Sequence, residues 1–151
     1  FPDEEITDND LYFICYMIER VARKLHQKNK YVVNTIGRDA LKHLISVANV
    51  LHAENPKDVE DDWIAAYQLK KGDFDIADVN KELVRQIPSA MQMGKVYQRL
   101  IVDTALWNEN YVDGICRVYN NDICDIIDNY NCSAYYEPSY IIARAYQNGG
   151  F

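Results

Sequence analysis

Met93-Gly94-Lys95-Val96 is the segment of this chain that comes closest to a phosphate-binding loop. Such a loop also needs a glycine five residues before the second glycine, and a serine or threonine after the lysine. Those two positions hold Ser89 and Val96, so the sequence does not predict nucleotide binding here. Gly94 lies beside the apolar stripe of its predicted helix, and its missing Cβ predicts that another helix approaches closely at this point.

An acidic segment with Asp73, Asp75 and Asp78 has the residue types of a calcium loop. A calcium loop of the EF-hand kind requires glycine at its sixth position and glutamate at its twelfth. Counted from Asp73, those positions hold Asp78 and Val84, so the segment is predicted to be a solvated turn.

The cysteines and histidines do not have the spacing of metal ligands. Cys116, Cys124 and Cys132 follow one another at intervals of eight residues, which rotates each about 80° around a helix from the one before. They therefore cannot converge on one ion, and the three histidines show no ligand spacing either. The sequence predicts no metal site, no cofactor and no disulfide framework.

Nucleophilic catalysis has no anchor in the sequence. None of the four serines lies in a G-x-S-x-G elbow, and no cysteine–histidine pair can be placed together from the sequence. The sequence therefore disfavours an enzyme. An enzyme or small-ligand-binding protein, with a pocket between helices that one sequence does not reveal, stays open as the alternative.

Composition narrows the class of protein further. The chain has 151 residues, 48% of them hydrophobic, and a formal net charge of −7. Its apolar runs are far shorter than the ~20 residues of a membrane span, and its acidity disfavours a binder of DNA duplexes or RNA. With its few unpatterned cysteines and no signal-peptide pattern, the chain is expected to be cytoplasmic.

The elements that must position any site are predicted to be helices. Helix starts are indicated at Thr7, at Asn55-Pro56, at Pro88-Ser89 and at Pro138, and helix ends at Gly37 and Gly149. One helix is expected over 8–28, apolar nearly all round at its start and hence central in the fold. Another is expected to run without a break from Val112 to Tyr130, a further one over 39–51, and a short one over 78–87.

These segments predict an all-α fold, a compact orthogonal or bundle-like array of six to seven helices. Residues 1–151 are expected to form a single helical domain, with a possible division into two lobes near 70–75.

Charge and tyrosine indicate where a partner would bind. Residues 20–42 carry seven basic residues against one acid, and basic residues near the start of this stretch are candidates for a recognition surface: Arg20, Arg23, Lys24 and Lys28. The alternative is that basic and acidic faces neutralise each other across the fold.

The chain also has 12 tyrosines, and Tyr135, Tyr136 and Tyr140 surround the rigid corner expected at Pro138. Adjacent Tyr135 and Tyr136 cannot both face one core, so at least one ring is expected to be exposed.

Five segments together resemble an uncharacterised family of small helical proteins from gut-type bacteria: Ile14–Lys24, Val47–Glu54, Lys71–Asp75, Pro88–Ile101 and Tyr135–Ile142. The resemblance covers about residues 7 to 147. It implies an all-α bacterial protein of the cytoplasm and assigns no activity, cofactor or site residue. The leading expectation is a non-enzymatic, acidic module that binds a protein partner or itself, as an antitoxin-like or scaffolding partner does.

Overall fold

The computed structural model of the protein describes residues 6–151, which form nine α-helices and no β-strand. The all-α fold class is confirmed, with more helices than the six or seven expected. The helices are α1 (Asp8–Leu25), α2 (Asn29–Ile36), α3 (Arg38–Ser46), α4 (Ala48–Leu51), α5 (Pro56–Ala66), α6 (Ala90–Asp103), α7 (Tyr111–Tyr119), α8 (Ile123–Ile127) and α9 (Ser139–Asn148). A 3-10 turn at Ala134–Tyr136 lies between α8 and α9.

Local capping explains where several helices begin and end. Thr7 and Asp10 form the capping box of α1, and Ser89 and Gln92 form that of α6. Asn55 accepts a hydrogen bond from the backbone N–H of Lys57 ahead of α5. Gly149 takes up the left-handed conformation that ends α9.

Helix α1 lies at the centre of the fold, as its apolar character predicted. It packs against α2, α3, α4 and α5, and most extensively against α6. Leu11, Ile14, Met17 and Ile18 of α1 are completely buried. Helix α6 in turn contacts α7 and α9, so the α1–α6 pair joins the two sides of one apolar core.

The close approach predicted at Gly94 is the contact between α6 and α1. A Cβ atom on Gly94 would lie 2.9 Å from both the Cα and the backbone nitrogen of Tyr16. Main-chain atoms cannot move aside as the end of a flexible side chain can. The absent side chain of Gly94 therefore sets the separation of the two central helices.

Helix α1 ends at Leu25, three residues before the predicted end, because His26 adopts a left-handed conformation with φ 53°. Two backbone carbonyls at this end of α1 then accept hydrogen bonds from segment 70–75, where the sequence suggested a boundary between two lobes. Gly72 N–H bonds to the carbonyl of Leu25 at 2.7 Å, and Phe74 N–H to that of His26 at 2.9 Å. Residues 72–74 thus lie against the end of α1.

The helix predicted over 78–87 is absent, and that segment forms turns instead. Side chains here bond to nearby backbone: Asp75 Oδ1 accepts from the N–H of Ala77, and Asn80 Oδ1 accepts from that of Glu82. Such short-range bonds compete with helix formation.

The predicted helix from Val112 to Tyr130 is also wrong as one element, because it divides into α7 and α8. Asn121 accepts a hydrogen bond from the N–H of Ile123, and Asn120 donates to the carbonyl of Cys116. An unbroken helix would place Ile126 on the same apolar stripe as Val112 and Ile115, whereas the break leaves it 41% exposed. The segment predicted as one helix over 39–51 similarly divides at Val47 into α3 and α4.

Gly94→Ala should lower the free energy of unfolding by about 1–3 kcal/mol, the cost of overpacking a core. In an ordinary exposed helix the same change would raise stability by roughly 0.5–1 kcal/mol. Urea denaturation measures directly whether Gly94→Ala lowers or raises the free energy of unfolding. Gly114→Ala is the comparison, since its new Cβ would meet a side-chain methyl of Ile101 instead of backbone, and it should cost less. A Gly94→Ala protein at least as stable as the wild type would contradict this account of the contact.

Candidate interaction surface and a buried polar cluster

The tyrosine corner predicted around Pro138 is divided between surface and core. Tyr136 is 82% exposed and Tyr140 62% exposed, which confirms that at least one ring of the Tyr135–Tyr136 pair faces solvent. Tyr135 is half-buried and packs edge-on against the buried ring of Tyr130, with 5.3 Å between centroids. Two of the three predicted tyrosines therefore offer free aromatic surface, and the third helps to hold the corner.

The four basic candidates on and after α1 are engaged within the protein. Each forms an ion pair with a carboxylate of the chain, at nitrogen–oxygen distances of 2.9 to 3.2 Å: Arg20 with Glu60, Arg23 with Glu19, Lys24 with Asp61 and Lys28 with Asp125. This is the arrangement expected if basic and acidic faces neutralise each other across the fold. It leaves these four cations less available to a partner than the sequence suggested.

A groove lies beside the tyrosine corner, between α6 and the start of α9. Its volume is about 350 Å³, and its walls are Gln92, Lys95, Val96, Arg99, Leu100, Glu137, Pro138, Ser139 and Ile142. Among the described residues, neither Lys95 nor Arg99 has a carboxylate in ion-pair contact; Lys95 lies over the ring of Tyr12 at 5.6 Å. The groove thus combines an apolar floor with two cations at its edge.

The outer face of α6 extends this surface. Met91, Lys95, Arg99 and Val102 are all exposed, and their spacing places them within an arc of about 80° on the helix. Leu106 and Trp107 follow the end of α6 and are 61% and 94% exposed. We call this face, with the groove and the exposed Tyr136 and Tyr140, the α6–α9 surface.

Sequence reasoning missed Trp107. The available signal was its place in a predicted loop: the apolar stripe ends at Thr104, and Asn108-Glu109-Asn110 is polar, so a tryptophan between them has no helix face to bury it. The loop itself is held firmly. Arg117 donates to Glu109 through two hydrogen bonds, and also to the hydroxyl oxygens of Thr104 and Tyr146.

A separate group of polar side chains is buried where α1, α2, α6 and the end of α8 meet. Glu19 is 1% exposed and accepts hydrogen bonds from Arg23 and from Asn29, at 2.9 and 3.0 Å. The hydroxyl of Tyr97 donates to Asp128 Oδ1 at 2.6 Å. Arg23 donates to the hydroxyl oxygen of Tyr130 and to the carbonyl of Pro88. We call these residues the buried polar cluster.

The cluster brings two carboxyl groups together, with Glu19 fully buried and Asp128 partly buried. Burial, and then the neighbouring charge of Glu19, raise the pKa of Asp128 well above its ordinary value of 3.8. Burial likewise raises the pKa of the Cys15 thiol to about 12, so that thiol is not a nucleophile at neutral pH. Groups with displaced pKa values next to a cleft are frequent in functional sites.

Other chemistry is not favoured by the geometry of residues 6–151. Within that range no three histidine, cysteine or carboxylate side chains are arranged to hold a metal ion. All four cysteines fall in it, and none is joined to another. None of its helices has the length and apolar character needed to span a membrane.

Comparison with known proteins adds no assignment: no family model matches the chain, and no curated protein or solved structure shows significant similarity to it. The resemblance to small helical proteins of gut-type bacteria therefore stays a hypothesis.

Asp128→Asn should change how stability depends on pH. Because the folded protein holds the Asp128 proton more tightly than the unfolded chain does, ionisation at this site lowers the free energy of unfolding as pH rises above 3.8. Asparagine cannot ionise and still offers an oxygen to Tyr97. The stability of the variant minus that of the wild type should therefore increase with pH, as measured by denaturation at a series of pH values. A difference that decreases with pH would show that Asp128 is stabilised as the anion.

Proposed function

We propose that this protein functions by binding an acidic amphipathic helix of a protein partner along the α6–α9 surface. The observation that carries the proposal is the outer face of α6, where exposed Met91 and Val102 lie on either side of Lys95 and Arg99 along the helix, next to the groove. Folded proteins bury apolar side chains where they can, and exposed apolar side chains with charged neighbours beside a groove are a frequent feature of interfaces. The role is non-enzymatic, of the antitoxin-like or scaffolding kind, in the cytoplasm.

The geometry suits a helix as the occupant. From Met91 to Val102 the face of α6 is about 16 Å long at 1.5 Å per residue, which matches roughly three turns of a bound helix. Exposed aromatic side chains lie close in sequence to both helices of this surface, with Tyr136 and Tyr140 near the start of α9 and Trp107 beyond the end of α6. Tyrosine and tryptophan are the residues that most often dominate binding energy at protein interfaces.

Charge complementarity favours an acidic partner over a basic one. The protein as a whole carries −7, yet the groove presents Lys95 and Arg99 against one carboxylate, that of Glu137. Cations on the rim of an interface steer association and select the sign of the partner's charge. A helix with glutamates flanking an apolar stripe would satisfy both cations while its apolar side chains enter the groove.

Two labelled model helices test the proposal, one with glutamates and one with lysines flanking the same leucine stripe. Fluorescence anisotropy should show binding of the acidic helix, and the double change Lys95→Glu with Arg99→Glu should weaken it at least about tenfold, or about 1.4 kcal/mol. Tyr136→Ser with Trp107→Ser should weaken it as well without affecting the fold, because both side chains project into solvent.

The matched control is Lys70→Glu with Lys71→Glu, which changes the net charge equally at two exposed lysines away from the groove. It should leave the affinity nearly unchanged. A dissociation constant above about 1 mM for the acidic helix would contradict the proposal, as would equal binding of both model helices. Concentration-dependent dimerisation that the same variants abolish would instead identify the occupant as a second copy of the chain.

A further inference from the structure

A narrow recess leads from the surface to the buried polar cluster. An outer cleft of about 230 Å³ is lined by Lys28, Phe74, Ile76 and Tyr130, with carboxylates of α8 and of 75–78 around it. Next to it lies a space of about 20 Å³, whose walls include Glu19, Arg23, His26, Asn29, Asp75 and Asp128. The two spaces share Phe74, Asp75, Ile76 and Asp128, so they adjoin, and we call the larger one the outer cleft and the smaller one the inner end.

Asn29 at this inner end has an unused hydrogen-bond acceptor. The residue is 4% exposed, and its Oδ1 atom is buried without any hydrogen-bond donor. The amide cannot simply be reversed, because its Nδ2 donates to Glu19 at 3.0 Å and lies 3.5 Å from Asp128. Reversal would set Oδ1 against two carboxylates. A buried acceptor without a donor costs free energy, so this atom indicates the place of a donor.

The inner end has more acceptors than donors. Glu19, Asp75 and Asp128 contribute carboxyl groups and Asn29 contributes Oδ1, while the donor-bearing side chains of the wall, apart from the Asn29 amide, are Arg23, His26 and Gln27. The Gln27 amide donates to the carbonyl of Lys70. The hydrogen bonds of Arg23 go to Glu19, Tyr130 and the carbonyl of Pro88. The group that would satisfy the remaining acceptors is one that carries only donors. A cationic group of this kind would also favour the ionised form of Asp128, whose pKa is raised in its absence.

Size selects the kind of cation. A space of about 20 Å³ holds one group the size of a water molecule. A primary ammonium group has this size and three N–H donors, whereas a guanidinium is a wider planar fork. In the outer cleft the ammonium of Lys28 already lies 5.6 Å from the centre of the Phe74 ring while pairing with Asp125.

We propose that this pocket binds the primary ammonium group of a ligand between Asn29, Glu19 and Asp128, with the ligand's short carbon chain against Phe74, Ile76 and Tyr130. The ammonium belongs either to a free alkylamine or to a lysine side chain of a peptide. The pocket shares no lining residue with the groove between α6 and α9. The test of the ammonium site is therefore independent of the test of the proposed partner helix.

Isothermal titration calorimetry with the intact protein tests this with n-pentylamine as the probe. Saturable binding is expected, with none for n-pentanol, which lacks the charge, or for tetramethylammonium, which lacks N–H donors and exceeds the inner space. A capped lysine derivative, with its α-amine and carboxyl blocked, distinguishes the sources. Binding tighter than that of pentylamine assigns the pocket to a peptide lysine, and weaker binding assigns it to a free amine.

Asp128→Asn should weaken pentylamine binding at least tenfold, and the chemical shifts of the Asn29 side-chain amide should move on binding to the wild type. Asp103→Asn is the matched control, because Asp103 is exposed on α6 and lines neither space. Equal binding of pentanol would overturn the proposal, as would equal loss in both variants, or a pocket that takes up only water and gives no saturable signal. Even if Asp128→Asn alters the fold, the comparison of pentylamine, pentanol and tetramethylammonium on the wild type shows whether the pocket binds a primary ammonium group.

Discussion

The rest of the structure depends on the close contact between α1 and α6 at Gly94. At this point the position of a Cβ atom on α6 is only 2.9 Å from the backbone of Tyr16, so the two helices meet main chain to main chain. The contact sets the depth at which the neighbouring side chains of both helices enter the core. Met93, Tyr97 and Ile101 of α6 are buried on one side, while Lys95 and Arg99 are left on the outside.

Because of this contact, one pair of helices supplies both features to which function is ascribed. Helix α1 contributes Glu19 and Arg23 to the buried polar cluster, and α6 contributes Tyr97, whose ring stacks on that of Tyr119 at 4.6 Å between centroids. The opposite face of α6 forms one wall of the groove with α9. Burying Glu19 and partly burying Asp128 beside it costs free energy, which hydrogen bonds from Arg23, Asn29 and Tyr97 offset.

Features decided within a few residues were predictable from the sequence. The capping box of Thr7 and Asp10, the start at Ser89 and the close approach at Gly94 each depend on local chemistry or on a missing side chain. The errors arose where side chains compete with the helix: Asn80 and Asn121 bond to nearby backbone N–H groups, so 78–87 and the stretch after α7 leave the helical path. The spacing of apolar residues along the sequence does not reveal that competition.

The sites themselves were harder to predict because they join distant parts of the chain. Lys28 and Asp125 pair across 97 positions, and Tyr97 reaches Asp128 across 31, so neither pairing leaves a pattern in any short window of sequence. The sequence did indicate the exposed tyrosine corner, since adjacent rings cannot both be buried. It did not indicate that the basic residues of α1 would be neutralised within the fold, because only the three-dimensional structure brings Glu60 and Asp61 of α5 beside them.

Native-state hydrogen exchange, followed residue by residue at increasing denaturant, tests the central role of the α1–α6 contact most directly. If the contact holds the fold together, the amides of Ile14–Ile18 and Tyr97–Ile101 should exchange only through global unfolding, with the full denaturant dependence of the whole protein. Amides of α8 and of 78–87 should exchange through smaller openings that denaturant hardly affects. The account would be contradicted if the α6 amides exchanged through such local openings while those of α7 or α9 were the slowest in the protein.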